Sequence, residues 1–322
     1  MSHHSMIIAG IDTGKGKLHV CLLPTGERFS VNNDEGGIAT LVAHCRAAGV
    51  VRAGIEATSI YHRAAAQALR EAGIETAELQ PRQAHGLAVA LLKRAKNDTI
   101  DAFVIAKLVE LLNGPWKQPP AAQLEALAEA LTFIDMLDER LVVLKTQRER
   151  FTAKRFLAGL DKAIKALEKQ RRGELRRLIA CLRKDQMLGE RLDLLLSIPG
   201  LGERTAASLL IRMPELGSLT REQAATMLGV APFDDKSAER DGQRHIAGGR
   251  ARLRKTMFMA AFAAAHHWNA DLKAFYARLR ASGKAHTAAV IACERKLIIL
   301  ANAVLMRGTP WQDRRGMPCL AT

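Results

Sequence analysis

The sequence has 322 residues, of which 48% are hydrophobic and 25% are charged, a balance typical of globular proteins with a sizeable core. Its net charge of +15 and isoelectric point near 10 indicate a polyanionic partner, with nucleic acid as the main candidate, although unrelated proteins can also be basic. The five cysteines form no C-x-x-C pair, which argues against zinc ribbons and disulfide frameworks. There is no apolar run of roughly 18 residues and no secretory signal pattern, so we expect a cytoplasmic protein that does not enter a membrane.

Short β-branched runs alternate with helical patterns over residues 6–116. The runs MIIAGID, KLHVCLL, RFSVNN, VRAGIEA and ETAELQ are typical of strands. Helices are predicted over about 36–48 and 60–72, and another begins at Asn97 or Asp98. This order predicts an α/β domain with a mixed sheet and helices packed on it. The breaker cluster NGPWKQPP follows, so we place the first domain at 1–116.

Residues 117–192 have a different pattern, in which apolar residues recur at mostly three- and four-residue spacing between Lys, Arg and Glu. The first set is Leu124, Leu127, Leu131, Ile134, Leu137, Leu141 and Leu144. This spacing predicts a pair of long amphipathic helices, as an antiparallel hairpin or a coiled coil. The pattern does not distinguish self-association from packing within one chain.

The third predicted domain, 193–322, is helical, with a Gly/Asp/Arg-rich loop over about 231–250 and helices near 251–265, 271–281 and 284–306. Residues 230–316 hold 16 basic and 7 acidic residues and carry much of the polyanion signal. The stretch SIPGLGERTAASLL resembles a helix-hairpin-helix, in which the turn containing Gly200 and Gly202 would offer backbone amides to a phosphate. The alternative is a structural glycine turn between two packed helices.

Four carboxylates are placed where they could converge. Asp12 and Glu56 end two of the predicted strands, and Asp98 and Asp101 lie three residues apart at a helix start. Asp98 and Asp101 could simply cap that helix. Four neighbouring carboxylates, however, would repel one another without cations, and oxygen-only clusters suit Mg²⁺ or Mn²⁺. The Asp, Glu, Asp, Asp order therefore favours a metal site of the ribonuclease-H-like kind, suited to phosphodiester chemistry.

A serine lies close to several arginines in the C-terminal loop. Ser237 is followed within 17 residues by Arg244, Arg250, Arg252 and Arg254. Guanidinium groups can grip phosphates with two hydrogen bonds, and a serine among them could attack a phosphorus. The alternative is that Ser237 is an ordinary loop serine and the arginines only bind the nucleic-acid backbone.

These motifs occur together in one order: AGIDTGKGKLHV, GIEATSIYH, KNDTIDAFVIAKL, SIPGLGERTAASLL, LGVAPFDDKSAERDGQRHIAGGRARLRKTMFMAA and KLIILANAVLMRGTPW. In that order they resemble the DEDD transposases of the insertion-sequence one-ten family, with its eleven-eleven subgroup, which are relatives of the Piv-type DNA invertases. The resemblance covers about residues 6–311. It implies a RuvC-like N-terminal domain, a coiled-coil middle region and a helical C-terminal transposase domain.

The resemblance also implies a chemistry and partners. Asp12, Glu56, Asp98 and Asp101 match the Mg²⁺-binding tetrad, and Ser237 matches a serine that forms a covalent link to DNA. Ser237 is followed by Ala238, where the family usually has Gly. Lys15 matches the D-x-x-K motif, and GGRARLR matches the family's basic run. The implied partners are donor and target double-stranded DNA and a structured bridge RNA that guides recognition, in a prokaryotic cytoplasm and associated with the nucleoid. The leucine pattern and a composite site suggest, in addition, a homodimer that assembles to a tetramer.

Two other functions are compatible with parts of the sequence. One is a metal-dependent nuclease, similar to Holliday-junction resolvases, that uses water and leaves Ser237 idle. The other is an architectural module that binds DNA without catalysis, which the four acids in resolvase-like order argue against. A covalent protein–DNA species would separate the recombinase from the nuclease.

Overall fold

The computed structural model describes residues 6–91, 98–112, 114, 116, 122–233, 236–237, 240–241 and 245–312; the side chains at 98–100, 122–123 and 233–245 are outside that description. The chain divides into two compact units, Met1–Pro119 and Pro120–Thr322. The division into three domains stays a prediction. No helix among the described residues is long and apolar enough to span a membrane.

The N-terminal unit contains the five predicted strands in the predicted places. Its elements are β1 (Ile7–Thr13), β2 (Lys17–Leu23), β3 (Arg28–Asn32), α1 (Glu35–Ala47), β4 (Val50–Glu56), α2 (Arg63–Glu71), β5 (Glu75–Leu79), α3 (Pro81–Ala90) and α4 (Asp98–Leu112). The helix α3 was not predicted. It begins with a proline in its first turn and a reciprocal cap between Gln80 and Gln83.

The five strands form one mixed sheet in the order β3-β2-β1-β4-β5. β1 is antiparallel to β2 and parallel to β4, which is in turn parallel to β5. One face, with Ile11 and Ile55, packs in a core with Leu41 of α1 and Leu69 of α2. The opposite face carries α4. This two-sided arrangement is compatible with the predicted ribonuclease-H-like domain.

The C-terminal unit is mainly helical, as predicted. Its elements are α5 (Ala122–Arg148), α6 (Lys154–Lys184), α7 (Gln186–Leu196), α8 (Glu203–Arg212), α9 (Arg221–Leu228), β6 (Pro232–Phe233), β7 (Lys236–Ser237), β8 (Arg240–Asp241), β9 (His245–Ile246), α10 (Ala251–Ala263), a π-helical turn (Ala264–Trp268), α11 (Ala270–Ala281) and α12 (His286–Arg307). The predicted loop over about 231–250 therefore contains four two-residue strands, which are too short to show an alternating sequence pattern.

The long helices α5 and α6 pack against each other as an antiparallel pair. Ion pairs join Arg148 to Asp161 at 2.5 Å, Lys145 to Glu168 at 2.7 Å and Asp138 to Arg171 at 3.0 Å. Positions earlier in α5 thus pair with positions later in α6, as in an antiparallel pair. The predicted helical hairpin is confirmed, whereas coiled-coil packing stays a prediction. Buried leucines of both helices belong to the same core as α7 to α12.

Candidate active site

Asp12 and Glu56 lie side by side at one edge of the N-terminal sheet. Ile11 of β1 pairs with Ile55 of β4, and the two acids are the next residue on each of these parallel strands. Neighbouring strands lie about 4.8 Å apart, and equivalent positions face the same side. Both carboxylates therefore project from the face that carries α4, the face opposite Ile11 and Ile55.

Two glycines in register bring α4 close to this face. Gly10 pairs with Gly54, two residues before each acid. A methyl group on Gly10 would lie 2.1 Å from the Ala102 carbonyl oxygen, and one on Gly54 would lie 2.3 Å from a Val109 methyl carbon. Since real Cβ atoms do not approach other atoms this closely, only glycine lets the helix backbone pack here.

This contact places the N-terminal end of α4 near the two strand-end acids. Asp101 immediately precedes Ala102, the residue over Gly10, while Leu108 and Val109 belong to the same apolar cluster as Ile8 at the start of β1. The helix therefore runs against β1, and its first turn is directed towards the end that carries Asp12. Asp98 begins α4, but its side chain is outside the described part of the chain.

The donor set at this edge suits a hard divalent cation. Every candidate ligand is a carboxylate, which is the ligand type that Mg²⁺ and Mn²⁺ prefer. Among the side chains that the structure describes, no group of three or more His, Cys, Asp or Glu could hold a metal ion. Asp12, Glu56 and Asp101 have described side chains, so these three alone do not form such a group. The side chain of the fourth candidate, Asp98, lies outside the described part of the chain.

Hydrogen bonds fix the loops that follow the two acids. Thr58 donates to the Glu56 carboxylate at 3.1 Å, and the Asn33 side chain donates to the carbonyls of Gly14 at 2.9 Å and Tyr61 at 3.0 Å. Asn33 thus joins the loop after Asp12 to the loop after Glu56. Lys15 is exposed at the β1–β2 turn, where its ammonium group is available to a phosphate.

A buried histidine, His62, connects the loop after Glu56 to β5. His62 lies 3.5 Å from the Glu78 carboxylate, which also accepts a 2.7 Å hydrogen bond from Arg70. The hydrogen bond from His62, assisted by Arg70 and opposed by partial burial, lowers the pKa of Glu78 to about 2. Sequence reasoning did not single out Asn33, Thr58, His62 or Glu78. Only Thr58 gave a local signal, two residues after Glu56.

Ser237 lies beside the tip of a β-hairpin in the C-terminal unit. β6 pairs with β9 through Pro232–Ile246 and Phe233–His245, and β7 pairs with β8 through Lys236–Asp241 and Ser237–Arg240. The second pairing lies within the first along the chain, and we call residues 232–246 the hairpin. The side chain of Ser237 and all of Arg244 are outside the described residues.

The predicted phosphate-binding turn connects α7 to α8. Gly200 adopts a φ of +100°, and a methyl group there would lie 2.3 Å from the Ala264 methyl, so close packing alone requires this glycine. Gly202 is the N-cap of α8, and a methyl group on its Cα would meet nothing within 4 Å. Glu203 adds a negative charge to the first turn, which opposes phosphate binding. The helix-hairpin-helix assignment stays a prediction.

The arginines near the hairpin have different partners. Arg250 forms an ion pair with Glu215, and Arg254 donates to the carbonyls of Gly248 and Gly229 at 2.6 and 3.3 Å. Arg252 is exposed on α10. Of these three side chains, Arg252 is therefore the best placed to contact a nucleic-acid phosphate, although all three roles stay predictions.

Two family models match the chain. The DEDD model of IS110 elements, described as "Transposase", matches residues 9–151. The model described as "Transposase IS116/IS110/IS902 family" matches residues 192–277. The first match contains the carboxylate edge and α4, and the second contains the turn at Gly200 and the hairpin with Ser237. Together they cover more than half of the chain.

Named relatives agree with these matches. An "Insertion element IS110 uncharacterized 43.6 kDa protein" of Streptomyces coelicolor is 33% identical over 184 residues, which are 56% of this chain and 43% of that protein. The chain therefore spans less than half of that relative. The "Pilin gene-inverting protein" of Moraxella bovis is 25% identical over 320 residues, covering 95% of this chain and 97% of its own. A protein of the same name from Moraxella lacunata matches equally far.

Proposed function

Because the chain belongs to the IS110 family of transposases, enzymes that recombine DNA, we propose that it cleaves and rejoins DNA strands at defined sites of an insertion sequence. The two Moraxella relatives are named for inverting a pilin gene, and they align along nearly the whole chain. This agreement supports a site-specific recombination reaction on double-stranded donor and target DNA.

One observation carries the proposal: a pair of in-register glycines brings a third acid-bearing element onto the edge with Asp12 and Glu56. Gly10 admits the backbone of α4, Gly54 admits the Val109 and Ile105 side chains of the same helix, and the helix carries Asp101 and Asp98 in its first turn. A helix cap alone needs no such contact with the strand ends. The arrangement is what a phosphodiester-processing site of the ribonuclease-H-like kind requires.

The four carboxylates would hold Mg²⁺ or Mn²⁺, which when bound stabilises negative charge on the transferring phosphate and on the leaving oxygen. Thr58 holds the orientation of the Glu56 carboxylate. Lys15, exposed three residues after Asp12, would bind a neighbouring phosphate of the same strand.

Ser237 would supply the nucleophile. Its oxygen forms an ester bond with the scissile phosphorus while the bond from phosphorus to the leaving oxygen breaks; the serine proton is lost and the leaving oxygen is protonated. Attack by the hydroxyl of the incoming strand reverses these changes and releases the serine. Because one phosphate ester replaces another, the exchange needs no external source of energy.

The guide RNA is proposed from the family resemblance, and the assembly from the leucine pattern and the composite site. A structured bridge RNA would direct the enzyme to donor and target DNA, and a homodimer assembling to a tetramer would bring the two DNA molecules together. The C-terminal unit supports nucleic-acid binding through its charge, since residues 230–316 hold 16 basic and 7 acidic residues. The enzyme would act in a prokaryotic cytoplasm in association with the nucleoid.

A covalent trapping experiment tests this proposal. The full chain is incubated with end-labelled donor DNA, Mg²⁺ and RNA transcribed from its element, and the products are separated on a denaturing gel. We expect a labelled protein–DNA adduct that is absent without Mg²⁺ and absent in Ser237→Ala. Ser218→Ala is a matched control, because Ser218 is a serine of the same unit whose hydroxyl donates to the Glu215 carbonyl.

Cleavage without an adduct, unaffected by Ser237→Ala, would instead identify a metal-dependent nuclease that uses water. Binding without cleavage under all conditions, with bound RNA verified, would favour an architectural protein.

A further inference from the structure

The hairpin that carries Ser237 has a narrow base formed by three glycines, and we name residues 227–229 and 248–250 the neck. A methyl group on Gly249 would lie 2.3 Å from the Gly229 backbone nitrogen, and one on Gly229 would lie 2.5 Å from the Gly248 carbonyl oxygen. All three glycines have positive φ angles. The Arg250 amide also donates to the Met227 carbonyl at 3.1 Å, so the two strands of the neck are held together through their backbones.

Arg254 closes the neck with its side chain. Its Nη1 donates to the Gly248 carbonyl at 2.6 Å and to the Gly229 carbonyl at 3.3 Å, one on each side of the hairpin base. The planar guanidinium fixes the directions of its donors, so the two carbonyls are held at a defined separation. A group committed to two carbonyls of its own chain is poorly available to a DNA phosphate.

A buried carboxyl group of α12 is electrostatically coupled to Arg254. Glu294 is fully buried, and neither of its oxygens has a hydrogen-bond partner among the residues that the structure describes. Burial raises the pKa of Glu294 to about 8, while the charge of Arg254 lowers it by less. At neutral pH the acid is mostly uncharged, which leaves the neck carbonyls as the hydrogen-bond partners of Arg254.

The distance from the neck to Ser237 makes this closure important. Ser237 lies eight residues beyond Gly229, so it can be at most about 27 Å from the neck at 3.3–3.4 Å per residue. A change of about 10° in the direction of the chain at the neck would move a group at that maximum reach by about 5 Å. A displacement of only 1 Å at a reacting group can lower the rate by about 10²-fold.

We propose that Arg254 is a positioning residue, which closes the neck and thereby sets the direction in which the hairpin presents Ser237. This inference rests on the proposed serine chemistry. It assigns different tasks to two arginines on the same helix: Arg252, exposed one turn from the neck glycines, contacts phosphate, whereas Arg254 acts within the protein.

Arg252→Ala and Arg254→Ala form a matched pair, since each removes one positive charge from α10. We measure DNA affinity across salt concentrations, and the rate of adduct formation at saturating DNA with Mg²⁺ and RNA. For Arg254→Ala we expect the adduct rate to fall by about 10²-fold, with unchanged affinity and salt slope. For Arg252→Ala we expect weaker binding and a salt slope reduced by about 1. General destabilisation would not produce this crossed result.

A wild-type adduct rate in Arg254→Ala, or a loss of affinity with a reduced salt slope, would overturn the proposal. If Arg254→Ala does not fold, Arg254→Met keeps the aliphatic stem without the donors and is tested in the same way.

Amide hydrogen exchange separates failure of this inference from failure of the proposed function. If the wild-type protein forms no adduct at all, the serine chemistry is wrong, and the neck is then tested in the full chain without DNA. We expect faster exchange at residues 229–233 and 245–250 in Arg254→Ala than in wild type and Arg252→Ala. Equal exchange in all three proteins would show that Arg254 does not close the neck.

Discussion

The two units of the protein carry the proposed reactive groups in different ways. In the N-terminal unit, Asp12 and Glu56 stand on paired strands within a five-stranded sheet, and α4 is packed against them through glycine contacts. In the C-terminal unit, Ser237 lies near the tip of a hairpin held at its base by the neck and Arg254. Metal ligands need a fixed geometry, whereas a nucleophile that must attack and later be released can be carried on an arm.

The units also differ in charge. Residues 1–120 hold 13 basic and 11 acidic residues, while the rest of the chain holds 35 basic and 22 acidic residues. Most of the attraction to a polyanion therefore comes from the C-terminal unit. It follows that substitutions of Asp12 or Glu56 should abolish strand cleavage and leave DNA affinity nearly unchanged. The predictions below test this division.

The largest effect is expected for Asp12→Asn. The substitution removes one negative charge from the candidate metal site but keeps the size of the side chain. Since even groups that only orient metal ligands change activity by 10–100-fold, strand cleavage should fall by more than about 10²-fold. DNA affinity should change little. Cleavage assays and binding titrations are compared with Glu35→Gln, an exposed acid at the start of α1. Wild-type cleavage by Asp12→Asn would exclude this residue from the site.

A methyl group at Gly10 should damage the edge without changing any charge. In Gly10→Ala the new Cβ would overlap the α4 backbone near Ala102 and Ala106, so the helix must move away from the strands. Overpacking of this kind costs about 1–3 kcal/mol of folding free energy, and cleavage should fall as Asp101 is displaced. Thermal unfolding and cleavage are compared with Gly86→Ala, where a methyl group meets nothing within 4 Å. Equal unfolding temperatures and equal cleavage by the two variants would refute the close contact between Gly10 and α4.

Glu294→Gln should change how the stability of the protein depends on pH. The folded-state pKa of about 8 lies above the ordinary value of 4.5, so the folded protein binds this proton more tightly than the unfolded chain. The free energy of unfolding of the wild type should therefore fall as pH rises from 4.5 to 8. At pH 9 the glutamine variant should be more stable than wild type by about 1–3 kcal/mol, with little difference at pH 5. Thermal unfolding at both pH values, with exposed Glu190→Gln as control, checks this expectation. An equal loss of stability in Glu294→Gln at pH 5 and pH 9 would contradict a neutral Glu294 carboxyl group in the folded protein.

The smallest effect is expected for Glu78→Gln, in the N-terminal unit. The pKa of Glu78 is lowered to about 2, so its stabilising contribution is present above pH 4.5 and is lost as pH falls towards 2. Because the carboxylate is partly exposed, the variant should lose less than about 1 kcal/mol at pH 7, and the difference should shrink at pH 3. Glu71→Gln on neighbouring α2 is the control, since Glu71 bonds only Gln67 among the described contacts. A difference that is unchanged at pH 3 would exclude the proposed ion pairs as its cause.

The sequence predicted the N-terminal sheet well because its strands are short apolar runs separated by clear turn residues. It missed α3 because this helix begins with a proline and buries only Ala84, so its sequence shows no apolar periodicity. The convergence of Asp12 and Glu56 followed from their places at strand ends. The reason that α4 can reach them, the pair Gly10 and Gly54, was not visible, since a glycine in a strand does not reveal which helix will cross it.

The partners of the arginines in the C-terminal unit could not be predicted from the sequence. Runs of arginine after Ser237 predicted phosphate contacts for Arg250, Arg252 and Arg254 alike. In the structure Arg250 pairs with Glu215, which lies 35 residues earlier in the sequence. Arg254 binds two backbone carbonyls, one of them 25 residues earlier. Both contacts depend on tertiary packing. Charge and spacing give no information about such partners. The same applies to Glu294, whose burial depends on the helices that pack against α12.

The most direct test of the account is to identify the residue that becomes bound to DNA. The adduct formed with donor DNA, Mg²⁺ and RNA is purified, digested with nuclease and protease, and analysed by mass spectrometry for a peptide carrying a nucleotide. We expect the nucleotide to be attached to Ser237, and we expect no modified peptide from Asp12→Asn. A nucleotide on any other residue, or complete cleavage with no modified peptide, would contradict the division between a carboxylate site and a serine-bearing arm.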